Sequence, residues 1–241
     1  MAKQYFIGTS GWNYDHWKKR FYPEDLAKSK WFSHYAQYFS TVEVNYSFYR
    51  WPRPETIAKW SEQAPRGFKY TLKAPRTITH VKRLKDIGPK IDDFYELTSR
   101  LKRAKGCHLF QLPPNFEPTE SNFERLKQLV GALDGRMDNA VEFRDSTWWT
   151  RRTYDLLEKN KVCFCVVSGL DMPDDVVVTN DVAYFRFHGQ GYSTEYSDAG
   201  IRKYAGIMRG LKCRRVYAYF NNDARAYAVK NALRLRELLE V

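Results

Sequence analysis

The stretch "VEVNYSFYRWP", residues 42–52, alternates apolar and polar side chains with the period of a β-strand. Its apolar positions include Val42 and Val44, and the polar positions between them hold Glu43 and Asn45. A strand with one face in water would show the same pattern. If the polar face points inward instead, Glu43 and Asn45 line a site, and other strands should carry polar residues at equivalent positions.

The composition is that of a folded chain with a strong positive charge. Of 241 residues, 43% are hydrophobic, and 40 Lys plus Arg against 28 Asp plus Glu give a formal net charge of +12. No apolar run approaches the roughly 20 residues of a membrane span, so we expect a cytoplasmic protein with no membrane partner. The four cysteines lack the Cys-x-x-Cys spacing of zinc or redox sites. The positive charge favours an anionic partner.

Short apolar or alternating runs predict eight strands, and helical patterns follow most of them. The predicted strands are residues 5–9, 41–48, 68–73, 106–112, 139–144, 162–167, 182–188 and 216–221. The predicted helices are residues 29–39, 54–63, 91–104, 121–133, 152–160, 197–209 and 224–239. Repeated strand-then-helix units indicate a parallel sheet with right-handed crossovers.

Eight such strands predict one (β/α)₈ TIM barrel over residues 1–241, as a single domain. Residues 168–181 show no helical pattern, so we expect an irregular connection between strands six and seven. A doubly wound open sheet is the alternative.

Polar residues recur with period two at the ends of the predicted strands. They are Lys73, Gln111, Glu142, Arg144, Arg186, His188 and Asn221. Functional groups of α/β barrels gather at the carboxyl ends of the strands. The pattern therefore places Glu43 and Asn45 inside, in a polar mouth of the barrel. The alternative is an ion-paired layer of the barrel core, since buried charges need partners.

Six blocks resemble the signature blocks of the YecE-like family, domain of unknown function 72. They are "GTSGW" at 8–12, "EVNYSFY" at 43–49, "QLPP" at 111–114, "EFRDSTW" at 142–148, "YFRFHG" at 184–189 and "YAYFNND" at 217–223. The resemblance implies a TIM barrel similar to those of xylose isomerase and endonuclease IV. It implies no particular reaction, because that of the family is not established.

The mouth suggests both catalytic and ligand-binding residues. We assign Glu43, Glu142 and His188 as candidate catalytic residues, since two carboxylates and a histidine suit acid–base work. The candidate ligand-binding residues are Ser10, Trp12, Asn45, Tyr49, Lys73, Gln111, Arg144, Trp148, Arg186, Gly189 and Asn221. We predict no resident metal or cofactor. A divalent ion held loosely by the two glutamates is the alternative.

Arg144, Arg186 and Lys73 favour a phosphorylated or nucleic-acid ligand, because phosphate prefers arginine forks and lysine. Backbone N–H groups near Gly189 are expected to help hold it. Hydrolysis of that ligand is a further hypothesis. Two alternatives stay open: a non-catalytic nucleic-acid-binding module that uses the basic rim, and a sugar-active hydrolase that uses Glu43 and Glu142.

Overall fold

A computed structural model describes residues 3–241. Its eight strands all run parallel, and each pairs with its neighbours in one sheet. The strands are β1 (Gln4–Thr9), β2 (Thr41–Val44), β3 (Lys69–Lys73), β4 (Lys105–Gln111), β5 (Asn139–Glu142), β6 (Cys163–Gly169), β7 (Val182–Gly189) and β8 (Arg215–Phe220). The sheet order β1-β8-β7-β6-β5-β4-β3-β2 curls into a nearly closed barrel, which confirms the predicted (β/α)₈ fold.

The barrel closes between β1 and β2 through one bridge and one tyrosine. Ser10, just after β1, forms an isolated parallel bridge with Glu43 of β2. The Tyr35 hydroxyl accepts the backbone N–H of Thr9 at 3.1 Å and donates to the carbonyl oxygen of Thr41 at 3.0 Å. A side chain therefore completes the seam where the two backbones do not form a regular ladder.

The helices lie outside the barrel, as the strand-then-helix pattern predicts. They are α1 (Trp31–Tyr38), α2 (Tyr46–Tyr49), α3 (Pro54–Gln63), α4 (Gly88–Ser99), α5 (Glu120–Ala132), α6 (Arg151–Lys159), α7 (Asp198–Gly210) and α8 (Tyr227–Leu239). Thr119, Thr150 and Ser197 cap α5, α6 and α7 by accepting a backbone N–H of the first turn. Residues 170–181, between β6 and β7, contain neither helix nor strand, as expected.

Alternation along the strands separates two buried regions. Outward-facing residues such as Val42, Leu72 and Phe185 pack against the helices in one large core. Inward-facing residues fill the barrel with small apolar groups and tyrosines, among them Leu109 and Tyr219. The inner residues toward the carboxyl ends of the strands are polar. The candidate site that they form therefore lies above a densely packed barrel interior rather than above an open channel.

Two predicted strands end at least two residues earlier than expected. β2 ends at Val44, and residues 46–49 form the single helical turn α2 rather than the end of a strand. Tyr46 and Phe48 mimic strand alternation because spacings of two and of three to four residues are indistinguishable over so short a run. β5 ends at Glu142, so Arg144 lies just beyond the strand.

No helix within residues 3–241 has the length and apolar character needed to cross a membrane.

Cys107, Cys163 and Cys165 are buried and unpaired inside the barrel, where they act as small apolar residues.

Candidate functional site

Polar side chains from seven of the eight strand ends meet at the carboxyl end of the barrel. We call this group the mouth cluster. It consists of Ser10, Glu43, Asn45, Lys73, Gln111, Glu142, Arg144, Arg186, His188 and Asn221. Each lies on the inward side of its strand or just beyond it, because residues two apart share a face. The structure thus brings together the residues that the strand-end pattern singled out.

Arg186 of β7 is the centre of the mouth cluster. Its Nε and Nη2 donate to the two carboxylate oxygens of Glu43 at 2.9 and 2.6 Å, and its Nη1 donates to Glu142 at 2.6 Å. The remaining N–H groups point toward Gln111 and Ser10, each 3.4 Å away. All five N–H donors of the guanidinium therefore face acceptors of the protein itself. We expected the Arg186 guanidinium to be free to bind a ligand, but carboxylates of the protein occupy it. The structure thus contains the ion-paired layer that was the alternative interpretation of the sequence pattern.

Glu43 is fully buried and accepts hydrogen bonds on both oxygens. Besides Arg186, its partners are the hydroxyls of Ser10 and of Tyr184, the latter at 2.6 Å. Burial opposes ionisation of the carboxyl, but the Arg186 charge and these hydrogen bonds outweigh it, and the pKa lies below its ordinary value. Asn45 extends the network by donating to Ser10 Oγ at 2.7 Å.

Glu142 lies between two guanidinium groups. Arg186 binds one of its oxygens, and Arg144 Nε donates to the other. Burial opposes its ionisation as well, yet the charges of Arg144 and Arg186 hold its pKa well below the ordinary value. Both glutamates are therefore ionised at neutral pH.

His188 is buried beside Glu142 and Arg144. Its Nε2 lies 3.5 Å from Glu142 Oε1 and 3.2 Å from Arg144 Nη2, and its Nδ1 lies 3.2 Å from Asn221 Nδ2. Burial and the neighbouring guanidinium groups lower its pKa to about 4. The imidazole is consequently neutral at pH 7.

Lys73 is the member of the mouth cluster whose amine contacts an aromatic ring in place of a hydrogen-bond acceptor or a carboxylate. Its side chain is 8% exposed, and its Nζ lies 3.9 Å from the centre of the Phe48 ring. Within residues 3–241 its Nζ forms neither an ion pair nor a hydrogen bond. Burial and the nearby Arg186 charge lower its pKa to about 7.

Four predicted ligand-binding residues are not members of the mouth cluster. Trp148 is fully buried against Phe143 on the outer face of the barrel, and its indole N–H donates to a backbone carbonyl. Trp12 packs between α1 and α3 and lines a cavity of about 270 Å³ together with Asn45, so it lies beside the cluster. Tyr49 is 73% exposed on α2. The N–H of Gly189 donates to the Tyr196 hydroxyl at 3.0 Å, so it is not free for an anion.

The glutamates do not suit a divalent ion. Among residues 3–241, no three His, Cys, Asp or Glu side chains are grouped so that they could bind a metal. Every carboxylate oxygen of Glu43 and Glu142 already accepts a hydrogen bond, and the neighbouring charges are positive. A divalent cation would have to displace Arg186 from both glutamates.

A cavity of about 530 Å³ opens beside the mouth cluster, between the segments that follow β1, β7 and β8. We call it the rim cavity; it is lined by His16, Arg20, Tyr192, Asn221, Asp223, Ala224 and Arg225. The Tyr192 hydroxyl accepts from Arg144 Nη1 at 3.2 Å, and Asn221 contacts His188, so the cavity adjoins the cluster. Arg20 and Arg225 are exposed and form no ion pair with any residue from 3 to 241.

The sequence patterns did not identify Tyr184 or Arg225 as site residues. Tyr184 shares the inward face of β7 with Arg186, and this period-two relation would have identified it. Arg225 lies in a short 3₁₀ turn after β8 with a φ of 55°, and neither periodicity nor spacing indicates which way such a side chain points.

Comparisons with known proteins agree with this architecture. A protein of the UPF0759 group, YunF from Bacillus subtilis, is 26% identical over 98% of this chain and 95% of its own length. YecE from Escherichia coli K12 is 28% identical over 61% of this chain, and the match spans half the length of YecE. Neither name states an activity.

Solved structures show the same fold. A DUF72 family protein from Thermotoga maritima has a TM-score of 0.90 at 28% identity, with 99% of this chain and 100% of that chain covered. Another from Enterococcus faecalis has a TM-score of 0.85 at 19% identity, with 99% and 96% covered. The family model described as "Protein of unknown function DUF72" matches residues 6–241. The resemblance of the six signature blocks is thereby confirmed, and the chain belongs to the DUF72 family.

Proposed function

We propose that the protein binds an anionic small molecule at the carboxyl end of its barrel, with Lys73 as the residue that receives the negative charge. The balance of charges in the mouth cluster carries this proposal. Two carboxylates face two guanidinium groups and His188 is neutral, whereas Lys73, which is partly protonated at pH 7 because its pKa is about 7, has no counterion within residues 3–241. A desolvated cation without a partner is costly, and an anionic ligand would offset that cost.

The rim cavity, which Lys73 does not line, would give the rest of the same ligand room and further positive charge. Arg20 and Arg225 line it without an ion-pair partner in residues 3–241, and Tyr192 and Asn221 connect it to Arg144 and His188. In α/β barrels the segments after strands seven and eight often hold a phosphate group. A phosphorylated small molecule is therefore the ligand class that we favour.

The contacts favour binding over hydrolysis by the two glutamates. A glycosidase needs one protonated carboxyl as general acid, with a raised pKa. Here Arg186 lowers the pKa of both Glu43 and Glu142 and engages both carboxylates. The sugar-active alternative therefore lacks its acid.

A nucleic-acid ligand has less support than a small anion. Several basic residues at the mouth side are already paired with carboxylates. These pairs are Lys19 with Glu24, Arg151 with Asp155 and Arg152 with Glu120. Fewer cations remain free for a phosphate backbone than the net charge suggests.

The test is a titration with inorganic phosphate in a buffer free of other oxyanions, followed by thermal unfolding and calorimetry. At 100 times its dissociation constant, phosphate should add about 2.7 kcal/mol to the free energy of unfolding. Lys73→Met should weaken binding about 10- to 100-fold, because a charge-assisted hydrogen bond contributes about 1.5–3 kcal/mol. Lys212→Met, at the opposite end of the barrel, is the matched control and should bind like the parent protein.

Calorimetry in two buffers of different ionisation enthalpy adds a specific readout. With sulfate as the anion, which unlike phosphate does not titrate near pH 7, binding at pH 7 should take up about half a proton, because the anion raises the Lys73 pKa from about 7. This uptake should disappear in Lys73→Met. Equal phosphate affinity in the parent and in Lys73→Met would place the anion elsewhere.

A further inference from the structure

The backbone holds Lys73 in one place at the edge of the mouth. Its carbonyl oxygen accepts from Ser47 Oγ at 2.7 Å, and the next residue, Ala74, donates its N–H to the carbonyl of Leu109 at 2.8 Å. The Phe48 ring covers one side of the amine at 3.9 Å. The backbone position of Lys73 is thus fixed, and only a small part of its side chain reaches solvent.

Other lysines with partly buried stems use their amines for structural contacts, whereas Lys73 does not. Lys3 donates to the carbonyl oxygens of Met208 and Arg209, both at 2.8 Å, and Lys69 donates to that of Arg103 at 2.7 Å. Lys73 has no such acceptor within residues 3–241. A purely structural role for this amine therefore lacks the contact that usually accompanies it.

The surroundings of Lys73 favour a neutral amine. Lys73 is only 8% exposed, and burial is the largest cause of its lowered pKa. The charges of Arg186 and Arg144 also lower the pKa, while those of Glu142 and Glu43 oppose them, and both carboxylates are engaged by the guanidinium groups. Desolvation and a neighbouring cation are the two conditions that make a lysine nucleophilic toward carbonyl compounds. Both conditions are met at this position.

We propose that Lys73 forms an imine with the carbonyl group of an anionic aldehyde or ketone bound at the mouth. This inference deepens the proposed function and rests on it for the anionic part of the ligand: inorganic phosphate pairs with the protonated amine, whereas the unprotonated amine attacks the carbonyl of a larger ligand whose anionic group lies toward Arg20 and Arg225 in the rim cavity. Nζ attacks the carbonyl carbon and a C–N bond forms, while the carbonyl π electrons move to oxygen, which takes up a proton. The carbinolamine then loses water to give the C=N bond. One amine and one carbonyl give one imine and one water, with no oxidant or reductant.

Reductive trapping tests the reaction directly. The protein is incubated with glycolaldehyde phosphate or with uncharged glycolaldehyde in the presence of cyanoborohydride, and the modified lysines are located by peptide mass mapping. At pH 7 about half of the Lys73 amines are unprotonated, against roughly one in 10³ for an ordinary lysine. We expect Lys73 to react at least tenfold faster than exposed lysines such as Lys82 and Lys212 of the same molecule, with a rate that is half-maximal near pH 7.

The exposed lysines serve as internal standards, so the test holds even if a variant at position 73 folds poorly. Lys73→Arg keeps the positive charge and should yield no adduct at this position. Inorganic phosphate should slow the labelling of Lys73 by raising its pKa. If Lys73 reacts no faster than Lys82 with either aldehyde, the imine proposal is wrong, even if phosphate binds.

The two proposals can fail separately. Fast labelling of Lys73 by both aldehydes at equal rates, with no protection by phosphate, would uphold the amine chemistry and refute the anion site. A preference for glycolaldehyde phosphate over glycolaldehyde at Lys73, absent at Lys82, would support both.

Discussion

Replacement of Arg186 by methionine should expose the electrostatic design of the mouth cluster. Methionine roughly preserves the volume of the side chain and removes its charge. Glu142 would keep Arg144 as a partner, but Glu43 would lose the only cation that binds it among residues 3–241 and would stay fully buried. Removing one partner of a buried ion pair typically costs about 3–5 kcal/mol.

The cost at Glu43 has an upper limit, because the carboxyl can take up a proton instead of remaining charged. Keeping a carboxyl of ordinary pKa about 4.3 protonated at pH 7 costs about 1.4 kcal/mol per pH unit, or roughly 3.7 kcal/mol. In the parent protein the pKa of Glu43 is lowered, so its contribution to stability is present above about pH 4.3 and is lost only as pH falls. In Arg186→Met the pKa rises, so the variant should lose stability as pH rises.

The assay is urea denaturation of both proteins between pH 5 and pH 7.5. The difference in the free energy of unfolding should grow by up to about 2.7 kcal/mol between pH 5 and pH 7, in addition to a part that does not depend on pH, with similar m-values. Adding Glu43→Gln to Arg186→Met removes the titrating group and should abolish the growth with pH. A difference that is below 1 kcal/mol, or that does not change with pH, would refute this account of the cluster.

Three further predictions concern Lys73, the seam and a core tryptophan. An unfolded lysine keeps its proton to about pH 10.4, whereas folded Lys73 loses it near pH 7, so the free energy of unfolding of the parent should rise by up to about 1.4 kcal/mol per pH unit between pH 7 and pH 10. Lys73→Met should lack this rise in urea titrations. Identical pH profiles of stability in the two proteins would contradict the pKa shift. Tyr35→Phe should cost about 1–3 kcal/mol and speed hydrogen exchange at the Thr9 amide, since it leaves that N–H and the Thr41 carbonyl unpaired; unchanged exchange would show that the hydroxyl does not hold the seam. Trp148→Ala should cost about 3–5 kcal/mol of stability, because it removes a fully buried side chain, yet it should leave the phosphate affinity of the folded protein unchanged. Weaker phosphate binding by this variant would show that Trp148 contributes to the ligand site.

Sequence patterns identified the fold and most of the mouth cluster because both follow from strand periodicity. A single rule, that residues two apart share a face, places Glu43, Glu142 and Arg186 in the barrel once the strands are known. Its errors occur where the chain leaves the strand. The turn at residues 46–49 looked like strand, and Trp148 looked like a mouth residue although it folds back onto Phe143.

Which charges pair could not be read from the sequence. Arg144, Arg186 and Lys73 are alike in a one-dimensional pattern, and all three looked available for a ligand. The difference arises from distances: Arg186 reaches both glutamates, Arg144 reaches one, and Lys73 reaches neither. Pairing depends on side-chain reach across the barrel, which periodicity does not encode.

Because β1 pairs with β8, the barrel cannot close during synthesis until β8 has been made. All six residues of β1 pair with β8, which begins at Arg215, whereas β2 pairs with β3 directly after it in the chain. While the ribosome is still making the later strands, β1 has no ladder partner, and the seam at Tyr35 offers it only side-chain contacts and one bridge. The mouth cluster cannot be complete until residue 221 has been made, because His188 of β7 and Asn221 after β8 belong to it.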